Sequence, residues 1–193
     1  MYCGVATTPM PAGAGRPMRR TGWDYRCHTS MTSHELFVFM PPQLATEIVD
    51  FAYAEDKPLY RTTLDAVARM RKVRTVFLER QPRSQRHATV ATTLTRPTME
   101  MVAQGLLRTW LLKKYKAMLI DFLDALNISH EDGVVEDLPE KVEDEVLHQA
   151  VEKLFAKYPT EVVATYLHCF DHMNQPGWAN LSKLLESDAR FQF

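Results

Sequence analysis

Past residue 30 the chain has only three glycines, Gly105, Gly133 and Gly177, each isolated. A loop that cradles phosphate needs clustered glycines, so that backbone N–H groups reach the phosphate oxygens. P-loops, dinucleotide fingerprints and nucleophile elbows are therefore excluded, and with them the common nucleotide enzymes. Cysteine is just as scarce. Cys3, Cys27 and Cys169 make no disulfide framework and fit a reducing, cytoplasmic setting. Nor does any window supply the ~18 uncharged apolar residues of a membrane span. The nearest candidate, 110–126, carries Lys113, Lys114, Lys116, Asp121 and Asp124, so no membrane partner is expected.

What the chain does have is separated charge. Residues 57–96 hold ten Lys/Arg and two acids, a net of +8, while residues 121–161 hold twelve Asp/Glu and three Lys, a net of −9. The whole sums to only −1, so the balance conceals two opposed blocks. A block of one sign steers a charged partner or a second copy of the chain.

With 193 residues, 46% of them hydrophobic, the chain can bury one sizeable core, which implies one domain. The first thirty residues stand apart, with four of the seven glycines, three prolines and no apolar periodicity. Arg16, Arg19 and Arg20 mimic the flank of a signal peptide, but no apolar run follows them. Residues 1–33 therefore read as a disordered tail or a mis-assigned extension, with translation starting at Met1 or at Met31.

The remainder reads as helices. The run 36–40, ending at Pro41-Pro42, looks extended. Pro42 opens a helix over 42–54, with Leu44, Ile48, Phe51 and Ala52 on one face. A second covers 59–80, where Leu59, Thr63, Ala66, Val67, Met70, Val73 and Phe77 share a stripe roughly 120° wide. Gln81-Pro82 breaks it, and Ser84 caps a short helix over 84–95. Thr98 caps a long helix to Leu126, closed by Asn127, with apolar residues over more than half its circumference. At ~42 Å it is the expected central element. Pro139 begins the next helix, which Pro159 stops. Thr160 caps another to about Met173, and a closing helix covers 178–191. The expected fold is all-α: residues 34–193 form a single-domain bundle of six to seven helices around the long central one.

Chemistry-bearing motifs are few. In the loop 127–139, an EF-hand register with Gly133 sixth places Ile128 first and Pro139 twelfth, where carboxylates are required. The loop is instead a solvated acidic turn bent at Asp132-Gly133. His168 and His172, four apart on a helix, have the spacing of a Zn²⁺ site, with Glu161 or Asp171 as third ligand. Cys169 stands where a zincin would carry its glutamate. The helical wheel puts Val162, Val163, Tyr166, Phe170 and Met173 on the buried stripe and both histidines opposite it. Cys169 diverges by about 100° from His168 and is read as structural.

In the basic block, Phe77 falls on the buried stripe and Tyr60 is the only other aromatic, so base stacking lacks a platform. The resulting expectation is a non-enzymatic helical interaction domain without a cofactor. Its basic surface (Arg61, Arg69, Lys72, Arg80, Arg83, Arg86) meets an acidic one (Glu136, Asp137, Glu140, Glu143, Asp144) on a second copy or on a protein partner. Two alternatives stay open: a nucleic-acid-binding regulator using 69–86, and a metal protein centred on His168, His172 and Glu161.

Overall fold

The computed structural model describes residues 30–133, 135, 137–174 and 177–193. Readings that fall on residues 1–29, on Glu136 or on residues 134, 175 and 176 lie outside the described residues. The described chain is all-helical, with ten α-helices, two short 3₁₀ turns and no β-strand among those residues. None of these helices is long and apolar enough to cross a membrane. One buried apolar cluster runs from Leu36 to Phe191.

Ten helices replace the expected six or seven for three separate reasons. First, residues 36–40 are not extended. They belong to α1 (Ser33–Phe39), which starts on a T-x-x-E signature: Glu35 reaches back to the Thr32 backbone N–H at 2.8 Å and its hydroxyl at 2.6 Å. Those two hydrogen bonds also hold the Glu35 carboxyl below its ordinary value. Pro41 does act on the segment, by forcing Met40 into extended backbone and ending α1 there. Order also starts before residue 34: Ser33 is buried, and the Ser30 Oγ lies 3.3 Å from His172 Nδ1.

Second, the helix expected over 59–80 divides. After α2 (Pro42–Glu55), Asp56 caps α3 (Lys57–Met70) by accepting the Leu59 N–H at 3.0 Å. The helix closes at Lys72, whose φ is +56°. The Val73 N–H donates to the Ala68 carbonyl and the Lys72 N–H to the Arg69 carbonyl, the two bonds of a Schellman motif. Glycine usually takes this left-handed position. With lysine there instead, nothing in the sequence marks the stop. The chain restarts as α4 (Thr75–Glu79), anchored by buried Leu78, and continues in α5 (Arg83–Leu94).

Third, the long helix bends. A 3₁₀ turn (Pro97–Met99) leads into α6 (Glu100–Lys114), and Tyr115 then leaves helical backbone at φ −116°, ψ 25° before α7 (Lys116–Ala125). Its half-buried ring packs edge-on to Trp110, with centroids 4.8 Å apart. The bend resolves an apolar surface too broad for one straight helix into two, each buried along its own face. Asn127, at φ +55°, closes α7 with a second Schellman pair to Leu123 and Asp124.

Pro139 does not begin a helix either. Residues 139–143 form a strap, because the Trp178 indole N–H takes the Pro139 carbonyl at 2.7 Å and the Asn180 amide takes that of Val142 at 2.8 Å. The helix, α8, starts at Asp144 and ends at Lys157. The central element is then α9 (Thr160–Met173), where Val162 through Cys169 are all buried beneath α1, α8, α10 (Ala179–Ser187) and the 3₁₀ turn Ala189–Phe191.

The left-handed lysine gives a direct test. Lys72→Gly relieves the strain of a side chain at φ +56° and is expected to stabilise the fold by roughly 0.5–1 kcal/mol, net of glycine's backbone entropy. A raised urea midpoint at unchanged slope is the expected reading. A midpoint that stays put or falls contradicts this account of the corner.

Candidate interaction surface

The basic block folds into two unlike parts. On α5, Arg83 donates Nε and Nη2 to Asp50 Oδ1 at 3.0 and 2.7 Å and lies over the Tyr53 ring, 4.6 Å from its centroid. Arg86 donates to the Tyr60 hydroxyl at 2.8 Å and to the Glu79 carbonyl at 2.9 Å. Between them, buried His87 meets the Tyr60 hydroxyl at 3.0 Å through Nε2. Its Nδ1 lies 2.7 Å from Asp50 Oδ1, a charge contact without the alignment of a hydrogen bond. Burial lowers the His87 pKa, against the pull of Asp50. Arg83 and Arg86 are thus pins that fasten α5 to α2 and α3.

The other part is the corner where α3 turns into α4. Thr75 donates to Asp65 Oδ1 at 2.7 Å and ties α4 back onto α3. With Leu78 facing inward, the rest of α4 faces solvent: Phe77 is 60% exposed and Val76 51%, with exposed Val73 beside them. The expectation that Phe77 is buried is therefore overturned, because the stop at Lys72 resets the helical phase and turns the residue outward. Arg71, Lys72, Arg74 and Arg80 flank these residues in the chain and are exposed, and none of their side chains makes a hydrogen bond or ion pair among the described residues. Arg61 is likewise exposed and unpaired among them, while Arg69 spends its Nε on the Asp65 carbonyl at 3.3 Å. Lys72 and Arg80 belong to the expected protein-docking surface, whereas Arg71 and Arg74 enter the sequence expectation only within the nucleic-acid segment 69–86.

On the acidic side, Glu136 lies outside the described residues. Asp137 and Glu140 are exposed and without an ion pair among those residues. Glu143 lies 3.9 Å from the Lys141 ammonium, and Asp144 accepts the Asn180 amide at 2.9 Å. Asp121 is bound by Lys157 and by the Tyr158 hydroxyl, and the Lys157 hydrogen bond leads in holding its carboxyl below the usual range. Lys116 pairs with Asp132, and Arg190 with Glu152. Among the described residues no ion pair joins block 57–96 to block 121–161. The basic helices α3 and α5 pack on α2 and α6, with α4 on α3, whereas α8 packs on α7 and α9.

The histidine pair of α9 does not face solvent, as the wheel implied. His168 is buried and donates Nε2–H to the Phe191 carbonyl at 3.2 Å, with the Phe193 ring over it. His172 turns elsewhere, to Ser30 and to Glu100 Oε1 at 3.5 Å, while Glu161 is exposed at the far end of the helix. Among the described residues no three His, Cys, Asp or Glu side chains are placed to hold a metal ion. Burial pushes the Cys169 thiol up to about 12, so a thiolate is not populated near neutrality. Asp171 is buried too; desolvation raises its carboxyl against the Ser182 hydroxyl that donates to it at 2.9 Å. It sits so close to the following turn that a Cβ on Gly177 would lie 2.9 Å from its Oδ1. These titratable groups face packed protein, not a cleft.

Glu100 escaped the sequence reading. At the start of α6, its carboxylate accepts the α1 backbone N–H groups of Ser33 at 2.9 Å and His34 at 2.8 Å, and His34 Nδ1 at 2.8 Å. Burial opposes its charge, but these hydrogen bonds prevail and leave its pKa lowered. No family model, curated protein or solved structure matches this chain, so the geometry alone carries the functional argument.

His87 and His168 both have pKa values lowered by burial from the ordinary 6.5. The unfolded imidazoles therefore take up protons first, and stability, full above 6.5, declines as pH falls below it. His168→Gln keeps a donor for the Phe191 carbonyl but removes one titration. Unfolding free energy measured by denaturant at about pH 7.5 and about 5.5 is expected to fall less in this variant than in the wild type. Equal losses contradict the assignment.

Proposed function

We propose that this chain is a non-enzymatic helical interaction domain that docks acidic protein surfaces through the corner formed by residues 69–80. One observation carries the reading. Phe77, Val76 and Val73 are exposed together, and the four cations that flank them in the chain, Arg71, Lys72, Arg74 and Arg80, make no ion pair among the described residues. Single exposed apolar residues need no explanation, but an exposed aromatic in a segment rich in unpaired arginine has the composition of a binding hot spot. The acidic surface at Asp137, Glu140, Glu143 and Asp144 is the complement that every copy already carries. A head-to-tail contact between copies would follow from it. The one cysteine among the described residues, Cys169, is buried and free, in keeping with a reducing, cytoplasmic setting.

Charge-driven association weakens as salt screens it. Sedimentation velocity at about 0.05 M salt is expected to give an apparent mass above the monomer that falls as salt rises to about 0.5 M. Arg71→Glu with Arg74→Glu should leave a monomer at both. A wild type already monomeric at low salt removes self-assembly.

Single-stranded nucleic acid is a second reading, favoured by the exposure of Phe77, which supplies the stacking platform that the sequence seemed to lack. Retardation of a labelled oligonucleotide at low salt tests it, with Phe77→Ala and Arg71→Glu/Arg74→Glu as the variants that should release it. Arg83 and Arg86 are unsuitable for this purpose, because reversing either charge unpins α5. No retention by the wild type ends this reading.

A further inference from the structure

Away from the basic corner, α6, α7 and α9, together with Gly133, Val135, Asp137 and Leu138 between α7 and α8, line an open groove of about 430 Å³. Its walls are Leu112, Leu119, Leu123, Tyr166, Phe170 and Met173, with Leu112 and Met173 left 42% and 43% exposed at the surface. The size and apolar lining are those of a small-molecule pocket.

Two polar groups give the groove a direction. Arg108, one turn before Leu112 on α6, borders it and is exposed, and its side chain makes no hydrogen bond or ion pair among the described residues. Tyr166 is 4% exposed, yet its hydroxyl makes no hydrogen bond among those residues; its ring is held edge-on by Phe122. Burial raises the Tyr166 pKa far above neutrality, so the hydroxyl remains a donor. Asp137 also borders the groove, which limits the negative charge that an occupant can bring. The complement of this arrangement has an apolar body and a single anionic head.

We propose that this groove binds a small amphipathic monocarboxylate, its acyl chain lying along Leu112, Leu119, Leu123 and Phe170 and its carboxylate paired with Arg108. The chain leaves water for the apolar wall, and the guanidinium offers two parallel donors to the carboxylate oxygens. Binding here is independent of the surface at 69–80, so a ligand could be held while that surface engages its own partner.

The test uses the whole chain with sodium decanoate below its micelle concentration, and 1-decanol as the uncharged match, followed by equilibrium dialysis. Decanoate is expected to bind at least about tenfold more tightly than decanol. Arg108→Gln should weaken decanoate about tenfold and leave decanol unchanged. Arg108 is exposed, so this variant should fold, and an unchanged circular dichroism melt would verify that. Leu119→Trp, which fills the groove, should remove both ligands. The proposal is overturned if decanoate shows no binding up to about 1 mM, if acid and alcohol bind alike, or if Arg108→Gln changes nothing. It is overturned equally if only an acidic amphipathic peptide binds in an Arg108-dependent way, since the groove would then be a polypeptide site.

Discussion

One carboxylate holds the opening of this fold together. Helix α1 has seven residues, too few to persist by itself in water. It persists because Glu100, 66 and 67 residues further along the chain, meets the free N–H groups of its first turn and pairs with His34 on the same turn. The same side chain begins α6 and lies 3.5 Å from His172 near the end of α9, so three helices converge on its two oxygens. With its start fixed, α1 lays Leu36, Phe37 and Met40 into the core beside α5, α6 and α9. The T-x-x-E signature at Thr32 and Glu35 is local, but the second cap, supplied from so far away, leaves no local pattern of its own.

The sequence was legible at several boundaries with a local chemical cause, though not at the capping box of α1 or the Asp56 cap of α3. Pro42 opens α2, Pro159 precedes α9, Asn127 closes α7, and the apolar faces of α2, α8 and α10 follow the helical period. It was illegible where tertiary contacts set the backbone. Lys72 takes a left-handed turn without glycine, and Tyr115 breaks a helix because its ring has a place on Trp110. Residues 139–143 lose their first helical turn to the side chains of Trp178 and Asn180. The wheel for α9 failed for a further reason: from Val162 to Cys169 the helix is buried round its whole circumference, so a single stripe misassigns its polar residues.

The same distinction runs through the candidate surface. That residues 57–96 are basic was plain from composition, but composition cannot say which cations are spent. Asp50, Tyr53 and Tyr60 come from α2 and α3 to occupy Arg83 and Arg86, and only the folded arrangement reveals it. Conversely, Phe77 joins Arg71 and Arg74 among the exposed residues only through the turn at Lys72. A periodicity carried unbroken across that turn hid the aromatic in the core. The groove beside Arg108 had no sequence signature at all, because α6, α7 and α9 each contribute only two or three of its side chains.

The two Schellman turns bear on the state the chain leaves when it folds. Glycine at Lys72 and Asn127 would ease the native backbone, yet it would also widen the set of conformations open to the denatured chain at each helix end. With only three glycines past residue 30, the unfolded ensemble is comparatively restricted, and less disorder has to be surrendered at these positions. Left-handed strain in the native state is thus set against lower entropy in the denatured one. The helix ends of this protein are specified as much by what the unfolded chain cannot sample as by what the folded chain accepts.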